Sequence, residues 1–244
     1  MQLEGARGPL SSAQSKAILD GLKRRAPDTN IFDRHLALKE ALVGSPLTTG
    51  NQVRLLLDGP ATYQVVRAIG SAPDEPFSLI YATLLSAIGS AETSVLLTNA
   101  YFAPDPQLLA ALSRAAQRGV DVKLILPSQS DSWLVFHVGR GYYTQLLQAG
   151  VKLFERRGVI LHSKTALIDG VWATVGSTNL DWRSFLHNHE LNAVVLGAEF
   201  GTQVQAMFDK DLAASDAILL EQWRRRGLDW RVKEWFARVW EYWL

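Results

Sequence analysis

The sequence predicts an α/β fold in which helices cover a β-sheet. From residue 77 onward, short apolar segments with strand character alternate with longer segments of helical periodicity. Glycine, proline and aspartate separate these segments, as expected at the turns between strands and helices. A chain of 244 residues is also long enough to bury a substantial core without disulfides or a structural metal.

The composition excludes several kinds of site and scaffold. The chain has no cysteine, which excludes a disulfide scaffold, cysteine-ligated zinc and a thiol nucleophile. Its net charge of +1 provides no global basic field for nucleic acid. The 48% hydrophobic and 20% charged residues are ordinary proportions for a globular protein, so we expect a packed domain.

The first third of the chain gives weaker signals than the rest. Residues 1–50 form a partly irregular N-terminal segment with one helical stretch at 33–43 and no apolar core of a signal peptide. Residues 51–70 predict a strand, a turn at 58–60 and then a helix. A turn-rich break follows at 71–76. No stretch has the roughly 20 apolar residues that a membrane-spanning helix needs.

From residue 77 onward, the sequence predicts a series of helices and strands. Asp105 and Pro106 open a helix with a capping carboxylate and an early proline, and Gly119 closes it. Residues 132–149 predict one helix that Gly150 ends. The remaining predicted elements are a helix at 77–90, strands at 93–99, 120–126 and 190–196, strands at VKLFE, KTALID and VWATV, and a helix at 199–214.

The chemistry is concentrated in residues 161–184, LHSKTALIDGVWATVGSTNLDWRS. His162 and Lys164 are two residues apart on a predicted strand, so their side chains project from the same face. Asp169 follows at the end of that strand, and a turn at Asp169-Gly170 leads into a return strand. The hairpin therefore brings the residues that follow the return strand back beside His162.

Gly176, Ser177 and Asn179 follow the return strand and complete the set of side chains. Imidazole attacks phosphorus to form a covalent intermediate. A lysine, a hydroxyl and an amide bind the oxygens of a phosphate diester as charge builds in the transition state. The set predicts a phosphodiester-processing site at His162 and Lys164, and its chemistry requires no metal and no cofactor.

The spacing His-x-Lys, four residues, Asp, six residues, Gly-Ser-x-Asn resembles the signature of the phospholipase D superfamily at every defining position. The segments NAYFAPDPQLLAAL, RGVDVKLILPSQSDSW, YYTQLLQAGVKLFE and GSTNLDWRSFLHNHELN resemble the second half of bacterial cardiolipin synthases. The resemblance runs from about Phe77 to near the C-terminus. It implies a phospholipase D-like domain with a central mixed β-sheet flanked by α-helices, over about 51–220.

The resemblance also implies roles for individual residues. His162, Lys164 and Asp169 correspond to the catalytic triad of the motif. Lys164, together with Ser177 and Asn179, corresponds to the phosphate-binding residues, and Gly176 supports them in the Gly-Ser-x-Asn turn. Glu190 corresponds to the acidic residue after the motif, and we expect it to orient His162 by accepting its other ring proton.

The chain departs from the superfamily pattern because it carries one motif where these enzymes use two. One histidine attacks, and a second protonates the leaving alcohol. His35 and Lys39 lack the motif spacing, and His137, His187 and His189 lack any such frame. Two copies of the chain could pair and place their His162 residues face to face. Alternatively, the chain is a shortened relative that has lost activity.

The C-terminal segment, 221–244, predicts an amphipathic helix rich in tryptophan and arginine. Five of the eight tryptophans lie in the last 22 residues, and Arg224-Arg225-Arg226 precede the helix. A helix that carries tryptophan and arginine suits a bilayer surface. The alternative is a terminal helix that packs on the domain or on a second subunit.

The sequence leaves three functional hypotheses. The first is a cardiolipin synthase-like phosphatidyltransferase that moves a phosphatidyl group from phosphatidylglycerol through a phosphohistidine. The second is a homodimeric phosphodiesterase acting on lipid or nucleic acid, although the balanced charge counts against nucleic acid. The third is an inactive relative that binds lipid. The expected location is peripheral at the bacterial cytoplasmic membrane, or cytoplasmic.

Overall fold

A computed structural model describes residues 52–53, 65–73 and 78–239. These residues form a nine-stranded mixed sheet with helices packed on both faces, and a separate two-stranded sheet. The predicted fold class, a mixed sheet flanked by helices, is confirmed. The helix predicted at 33–43 and the turn predicted at 58–60 lie outside the described residues.

The described elements alternate between strands and helices, as the sequence predicted. The strands are β1 (Gln52–Val53), β2 (Val65–Ser71), β3 (Ser94–Asn99), β4 (Phe102–Ala103), β5 (Asp121–Pro127), β6 (Lys152–Arg156), β7 (Lys164–Ile168), β8 (Trp172–Gly176), β9 (Leu180–Asp181), β10 (Glu190–Leu196) and β11 (Ser215–Ile218). The helices are α1 (Leu79–Ser90), α2 (Pro106–Gln117), α3 (Trp133–Gly141), α4 (Tyr143–Gln148), α5 (Trp182–Leu186), α6 (Ala198–Ala213), α7 (Leu220–Arg224) and α8 (Leu228–Val239).

The large sheet has a parallel half and an antiparallel half that meet at β3. Its strand order is β1-β2-β10-β8-β7-β3-β5-β6-β11. β3, β5 and β6 are parallel, and helices connect them as such crossovers require. β7, β8, β10 and β2 are antiparallel to their neighbours. The C-terminal end of β3 and the N-terminal end of β7 therefore lie at the same edge of the sheet.

Strand alternation divides the core between the two faces of the sheet. On β3, Val95 and Leu97 pack into the larger cluster with α1 to α4, whereas Leu96 packs into the smaller cluster under α6. On β7, Ala166 and Ile168 face the larger cluster, and Leu167 faces α6. This period of two is the strand geometry that the sequence predicted from its apolar segments. Because Lys164 has the same parity as Ala166, it belongs to the α1 face.

Helix α2 begins and ends as its sequence predicted. Asp105 is the N-cap residue, and its carboxylate accepts a hydrogen bond of 2.8 Å from the backbone N–H of Leu108. Pro106 occupies the first helical position, where its missing N–H costs no helical hydrogen bond. Gly119 follows the helix with φ at 93°, a left-handed conformation that glycine adopts without steric cost. The predicted start and end of this helix are confirmed.

The helix predicted for residues 61–70 is wrong over residues 65–70, and residues 61–64 lie outside the described residues. The chain forms strand β2 here, and β2 pairs with β10 along its whole length, from Glu190 opposite Ser71 to Leu196 opposite Val65. Val66 and Ile69 are buried. β10 would otherwise leave a row of backbone donors and acceptors unpaired beside β8, so long-range pairing overrides the local pattern.

The single helix predicted at 132–149 is also wrong in detail, because the chain forms two helices with Tyr142 between them. Gly139 in α3 lies against the backbone of Phe102, and a Cβ at position 139 would lie 2.3 Å from that carbonyl oxygen. α3 is thus fixed by close contact with β4, and α4 follows a different axis to reach β6.

The C-terminal segment forms two helices rather than one, since α7 ends at Arg224 and α8 begins at Leu228. Trp223 is buried in the larger core cluster, and so is Ala237 of α8. Residues 240–244 lie outside the described residues. Within the described part of the chain, none of the helices is long and apolar enough to cross a bilayer.

We expect Gly201→Ala to lower the free energy of unfolding by about 1–3 kcal/mol, the usual range for overpacking. Gly201 places α6 directly on the β7–β8 turn, and a Cβ there would lie 1.8 Å from the carbonyl oxygen of Gly170. Gly89→Ala in α1 is the matched control because a Cβ at 89 meets nothing within 4 Å. Urea unfolding measures both, and equal stabilities for the two variants would contradict the expectation.

Candidate active site at one edge of the sheet

Four strands of the sheet bring polar residues into one row across its edge. The register pairs Asn99 of β3 with Lys164 of β7, and Asn192 of β10 with Gly176 of β8. The β7–β8 register, with Thr165 opposite Val175, continues to place Lys164 beside Gly176. The row therefore runs Asn99, Lys164, Gly176, Asn192 across adjacent strands. The segments that carry the rest of the motif begin directly outside this row.

Lys164 is the buried cation of the site, with 8% of the residue exposed. Its ammonium donates a hydrogen bond of 3.1 Å to the backbone carbonyl of His162, which directs the side chain toward the edge of the sheet. Burial lowers the pKa of Lys164, while the carboxylates of Glu190 and Asp181 oppose that shift. A partly desolvated ammonium interacts more strongly with an anionic oxygen than a solvated one.

His162 lies in the segment ahead of β7, and its side chain is exposed. The carbonyl that Lys164 contacts belongs to this residue, so the two motif residues are held together through the backbone. His162 lies two residues ahead of the start of β7, and Ser177 follows the end of the neighbouring strand β8. The structure thus gives His162 the access to solvent that an attacking imidazole needs.

Ser177 and Glu190 form a hydrogen-bonded pair beside this position. The Ser177 hydroxyl donates to Glu190 Oε2, and it accepts a hydrogen bond of 3.0 Å from the backbone N–H of Leu191. The Asn188 amide donates to Glu190 Oε1 at 3.3 Å. The expected contact between Glu190 and His162 is absent from the hydrogen bonds of the described residues. Glu190 instead positions Ser177, because the hydroxyl is nearer on the adjacent strand.

Gly176 has a steric reason to be glycine. A Cβ at 176 would lie 2.1 Å from Asn192 Oδ1. The space is used by the Asn192 amide, which accepts a hydrogen bond of 2.8 Å from the Thr178 hydroxyl and donates one of 3.2 Å to the Thr174 hydroxyl. These bonds fix the turn that presents Ser177 and Asn179.

Asn179 lies at the same edge, in the segment between β8 and β9. Its backbone N–H donates to the Ser184 hydroxyl at 3.2 Å, which holds the residue against the start of α5. Its side-chain Oδ1 is buried and has no hydrogen-bond partner among the described residues. Buried polar atoms are normally satisfied, so this amide retains hydrogen-bonding capacity at the site.

Asp169 is placed away from the other motif residues, at the opposite end of β7. An extended chain rises about 3.3 Å per residue, so the seven residues from His162 separate the two ends by about 20 Å. The carboxylate accepts hydrogen bonds from the backbone of Glu92, Thr93 and Ser94, and from the Thr93 hydroxyl, at 2.7–3.3 Å. The expected catalytic role of Asp169 is therefore corrected: it joins β7 to the segment ahead of β3.

Sequence reasoning missed several polar residues at the edge. Asp181 is buried and caps α5, where its carboxylate accepts 2.7 Å from the Ser184 N–H. Burial raises the pKa of Asp181, and the Ser184 contact opposes the shift. Asn99 Oδ1 accepts from the backbone N–H groups of Tyr101 and Leu180, each at 3.2 Å. The available sequence signals were a polar residue ending an apolar strand, and an aspartate three residues before a serine.

The edge combines the groups that phosphodiester chemistry needs. An exposed imidazole lies outside a buried ammonium, and a hydroxyl held by a carboxylate lies on the neighbouring turn. The arrangement can bind an anionic phosphate oxygen at Lys164 while His162 reaches phosphorus. The carboxylates Glu190 and Asp181 limit the positive charge of the site without contacting Lys164 directly.

Comparison with known families agrees with this geometry. The model of the family described as cardiolipin synthase, PLD-like domain, matches residues 84–212. That match covers more than half of the chain and includes His162, Lys164, Ser177, Asn179 and Glu190. The chain belongs to this phospholipase D-like family.

The cardiolipin synthase-type domain is also similar to curated full-length proteins. Cardiolipin synthase A of Yersinia pseudotuberculosis is 39% identical over 173 residues, which are 71% of this chain and 36% of that protein. Cardiolipin synthase A of Klebsiella pneumoniae (strain 342) is 40% identical over 174 residues, again 36% of its length. The match thus spans about a third of the length of these relatives.

Solved structures share the fold. The phospholipase D family member Nuc from Salmonella typhimurium has a TM-score of 0.55 at 22% identity, over 64% of this chain and 99% of Nuc. Phosphatidylserine synthase from Haemophilus influenzae Rd KW20 has a TM-score of 0.58 at 10% identity, over 72% of this chain and 46% of that protein. The nine-stranded arrangement is therefore a phospholipase D fold.

We expect Asp169→Ala to lower the free energy of unfolding by about 2 kcal/mol, because it removes charge-assisted hydrogen bonds to several backbone N–H groups. Asp169 also has φ at 51°, a conformation that asparagine tolerates better than alanine. Asp169→Asn should therefore retain most of the stability. Urea unfolding of both variants measures the difference. If Asp169→Ala were as stable as the native protein while losing activity, the residue would have a catalytic role instead.

Proposed function

We propose that this domain performs phosphatidyl transfer of the cardiolipin synthase type, with His162 as the nucleophile and phosphatidylglycerol as the donor. The observation that carries the proposal is the exposed His162 directly outside the buried Lys164, whose ammonium binds the His162 carbonyl. Cardiolipin synthase A in the Yersinia and Klebsiella relatives supports the lipid substrate.

The first step forms a bond between an imidazole nitrogen of His162 and the phosphorus of phosphatidylglycerol. The bond between phosphorus and the headgroup glycerol oxygen breaks, and glycerol leaves after it takes up a proton. Lys164 binds a phosphate oxygen as negative charge builds up, and the amide N–H of Asn179 lies on the adjacent turn to bind another. The Ser177 hydroxyl binds a further oxygen once its proton turns away from Glu190. The product of this step is a phosphatidyl-histidine.

The second step transfers the phosphatidyl group to an alcohol. A hydroxyl of a second phosphatidylglycerol attacks phosphorus, loses its proton to a base, and the phosphorus–nitrogen bond breaks. Cardiolipin and free His162 result. If water attacks in place of the alcohol, the product is phosphatidic acid, so the two outcomes share the same intermediate.

The proton donor of the first step must be a second group, because one imidazole cannot both attack and protonate. Among the described histidines, His137 is buried among Trp133, Phe136 and Trp230. His187 and His189 are exposed on either side of Asn188 and lack the motif spacing. We propose that a second phospholipase D-like domain supplies this histidine. A second copy of the chain can supply it through a two-fold axis, with two His162 residues in one site.

Purified protein should convert labelled phosphatidylglycerol in liposomes to cardiolipin, and His162→Ala should abolish the conversion. Arg157→Gln is the matched control, because Arg157 forms an exposed ion pair with Asp216 of β11, the outermost strand of the sheet. Thin-layer separation of labelled cardiolipin and phosphatidic acid measures transfer against hydrolysis. A well-folded native protein that forms neither product would refute the proposed reaction.

Subunit mixing tests whether two copies share one site. Native protein and His162→Ala protein are unfolded together, refolded in varied ratios and assayed at constant total concentration. A site built from two His162 residues predicts activity that follows the square of the native fraction. A linear dependence would show that each chain acts with its own His162 alone, and mass measurement on the same samples reports the oligomer.

The C-terminal helix α8 packs on the domain by its polar side. Glu234 is 3% exposed and accepts two hydrogen bonds from Arg226, at 2.6 and 3.1 Å. Ala237 is fully buried in the core cluster. Trp230 and Trp223 lie on either side of Arg140, each with its ring centre about 5 Å from the guanidinium. These contacts fix the rotation of α8 about its axis.

The opposite side of α8 is apolar and exposed. Its residues follow at spacings of four, three, one and three, which form one stripe of a helix. The exposed fractions are Leu228 74%, Val232 63%, Trp235 68%, Phe236 50% and Val239 59%. A stripe of this kind on the outside of a domain marks an interaction surface.

We propose that an anionic lipid surface covers this stripe. Arg224 and Arg231 are exposed beside it and have no acidic partner within 4 Å among the described residues. Cations next to an apolar stripe that carries tryptophan complement anionic headgroups above an acyl layer. The donor phospholipid is itself part of such a surface, so the contact would bring the domain to its substrate.

We expect the double variant Val232→Ser, Trp235→Ser to reduce flotation with liposomes that contain phosphatidylglycerol by about tenfold, because it removes apolar area from the bilayer contact. Met207→Ser is the matched control, since Met207 is 43% exposed on α6, which covers the other face of the sheet. Unchanged flotation of the double variant would reject the lipid surface. A change in mass of the free protein would assign the stripe to a second copy.

A further inference from the structure

A tyrosine and an aspartate meet at the mouth of the site, outside the motif. The Tyr101 hydroxyl donates a hydrogen bond of 2.5 Å to Asp131 Oδ1. Tyr101 follows β3 and Asp131 lies in the loop after β5, so the pair joins two loops at the carboxyl ends of parallel strands. Loops at such edges commonly bind ligands in α/β sheets.

Tyr101 lies just beyond the row at the sheet edge. It follows Asn99, the last residue of β3, by two residues, and Asn99 pairs with Lys164. Asn99 Oδ1 accepts from the Tyr101 N–H, and the Leu180 N–H donates to the Tyr101 carbonyl at 3.1 Å. These bonds hold Tyr101 against the segment that carries Asn179.

Charged groups of the site also affect the pKa of Tyr101. The negative charge of Asp181 acts to raise the pKa of both Tyr101 and Lys164. The hydrogen bond to Asp131 raises the pKa of Tyr101 to about 12 and lowers the pKa of Asp131. The phenol is therefore protonated and the carboxylate ionised near neutral pH.

This protonation state fixes what the pair can bind. The phenol proton is directed to Asp131, so the Tyr101 oxygen can only accept a hydrogen bond from a ligand. The Asp131 carboxylate is exposed and accepts as well. Two acceptors this close together match the two donors of a 1,2-diol. A monoalcohol or a water molecule supplies an oxygen to only one of the two positions.

We propose that Tyr101 and Asp131 form a subsite that binds the diol end of a polyol acceptor, such as a glycerol headgroup, beside the phosphatidyl-histidine. The subsite rests on the proposed transfer reaction and adds the class of acceptor to it. One hydroxyl of the bound diol lies at Tyr101, and its oxygen attacks phosphorus. Its proton passes to a base, and the bond between phosphorus and the His162 nitrogen breaks. The other hydroxyl is held by Asp131. The pair thus favours transfer to a diol over hydrolysis.

The test measures partition of one intermediate among acceptors. Liposomes of phosphatidylglycerol labelled in the phosphatidyl group are given glycerol, 1,2-propanediol or 1-propanol, and the transfer product is divided by phosphatidic acid. We expect Tyr101→Phe and Asp131→Asn each to lower this ratio about tenfold for the two diols. The ratio for 1-propanol and the rate of donor consumption should change less than about twofold. A monoalcohol that loses one hydrogen bond to the pair replaces it with one to water.

Two comparisons separate this role from a structural one. Asp216→Asn removes an exposed carboxylate on β11, the outermost strand of the sheet, and it should leave every ratio unchanged. Loss of the ratio for 1-propanol to the same extent as for the diols would overturn the subsite, because a distorted loop affects all acceptors equally. If the two variants consume donor and keep the native ratio for the diols, the subsite is overturned while the proposed reaction stands. A native protein that consumes no donor would overturn the proposed reaction and the subsite with it.

Discussion

The close contact between Gly176 and the Asn192 side chain is the constraint on which the sheet edge depends. The amide occupies the space that a side chain at position 176 would fill, and it binds the hydroxyls of Thr178 and Thr174. With those bonds made, the chain after β8 turns at Ser177 and presents Asn179. The position of the turn relative to His162 follows from strand register, and the site is as rigid as the sheet itself.

The two ends of β7 have separate tasks. At the N-terminal end, Lys164 is buried under the edge and directs its ammonium to the His162 carbonyl. At the C-terminal end, Asp169 binds the backbone ahead of β3 and has no access to the site. One short stretch of sequence thus contributes a binding cation and a structural clamp. The register of a buried strand is fixed by its hydrogen-bonded pairing with both neighbours. The position of one end of β7 therefore determines the position of the other end.

Sequence and structure agree where short-range chemistry decides the outcome. The caps of α2 at Asp105 and Gly119 follow from local hydrogen bonding, and the hairpin turn at Asp169-Gly170 has positive φ at both residues. They disagree where a distant partner decides. Residues 65–71 form a strand because β10 needs a neighbour. Asp169 binds the backbone ahead of β3, a distant partner that the spacing of the motif does not reveal.

The sequence by itself determined the phospholipase D-type motif, the mixed α/β fold and the presence of an amphipathic helix after residue 227. Only the tertiary structure decided that Glu190 holds Ser177, that Tyr101 binds Asp131, and that α8 turns Glu234 inward and its apolar stripe outward. The physical reason is the range of the interactions. Periodicity and capping act over a few residues, whereas burial depends on which segments meet, as when Ala237 of α8 is buried in the larger core cluster.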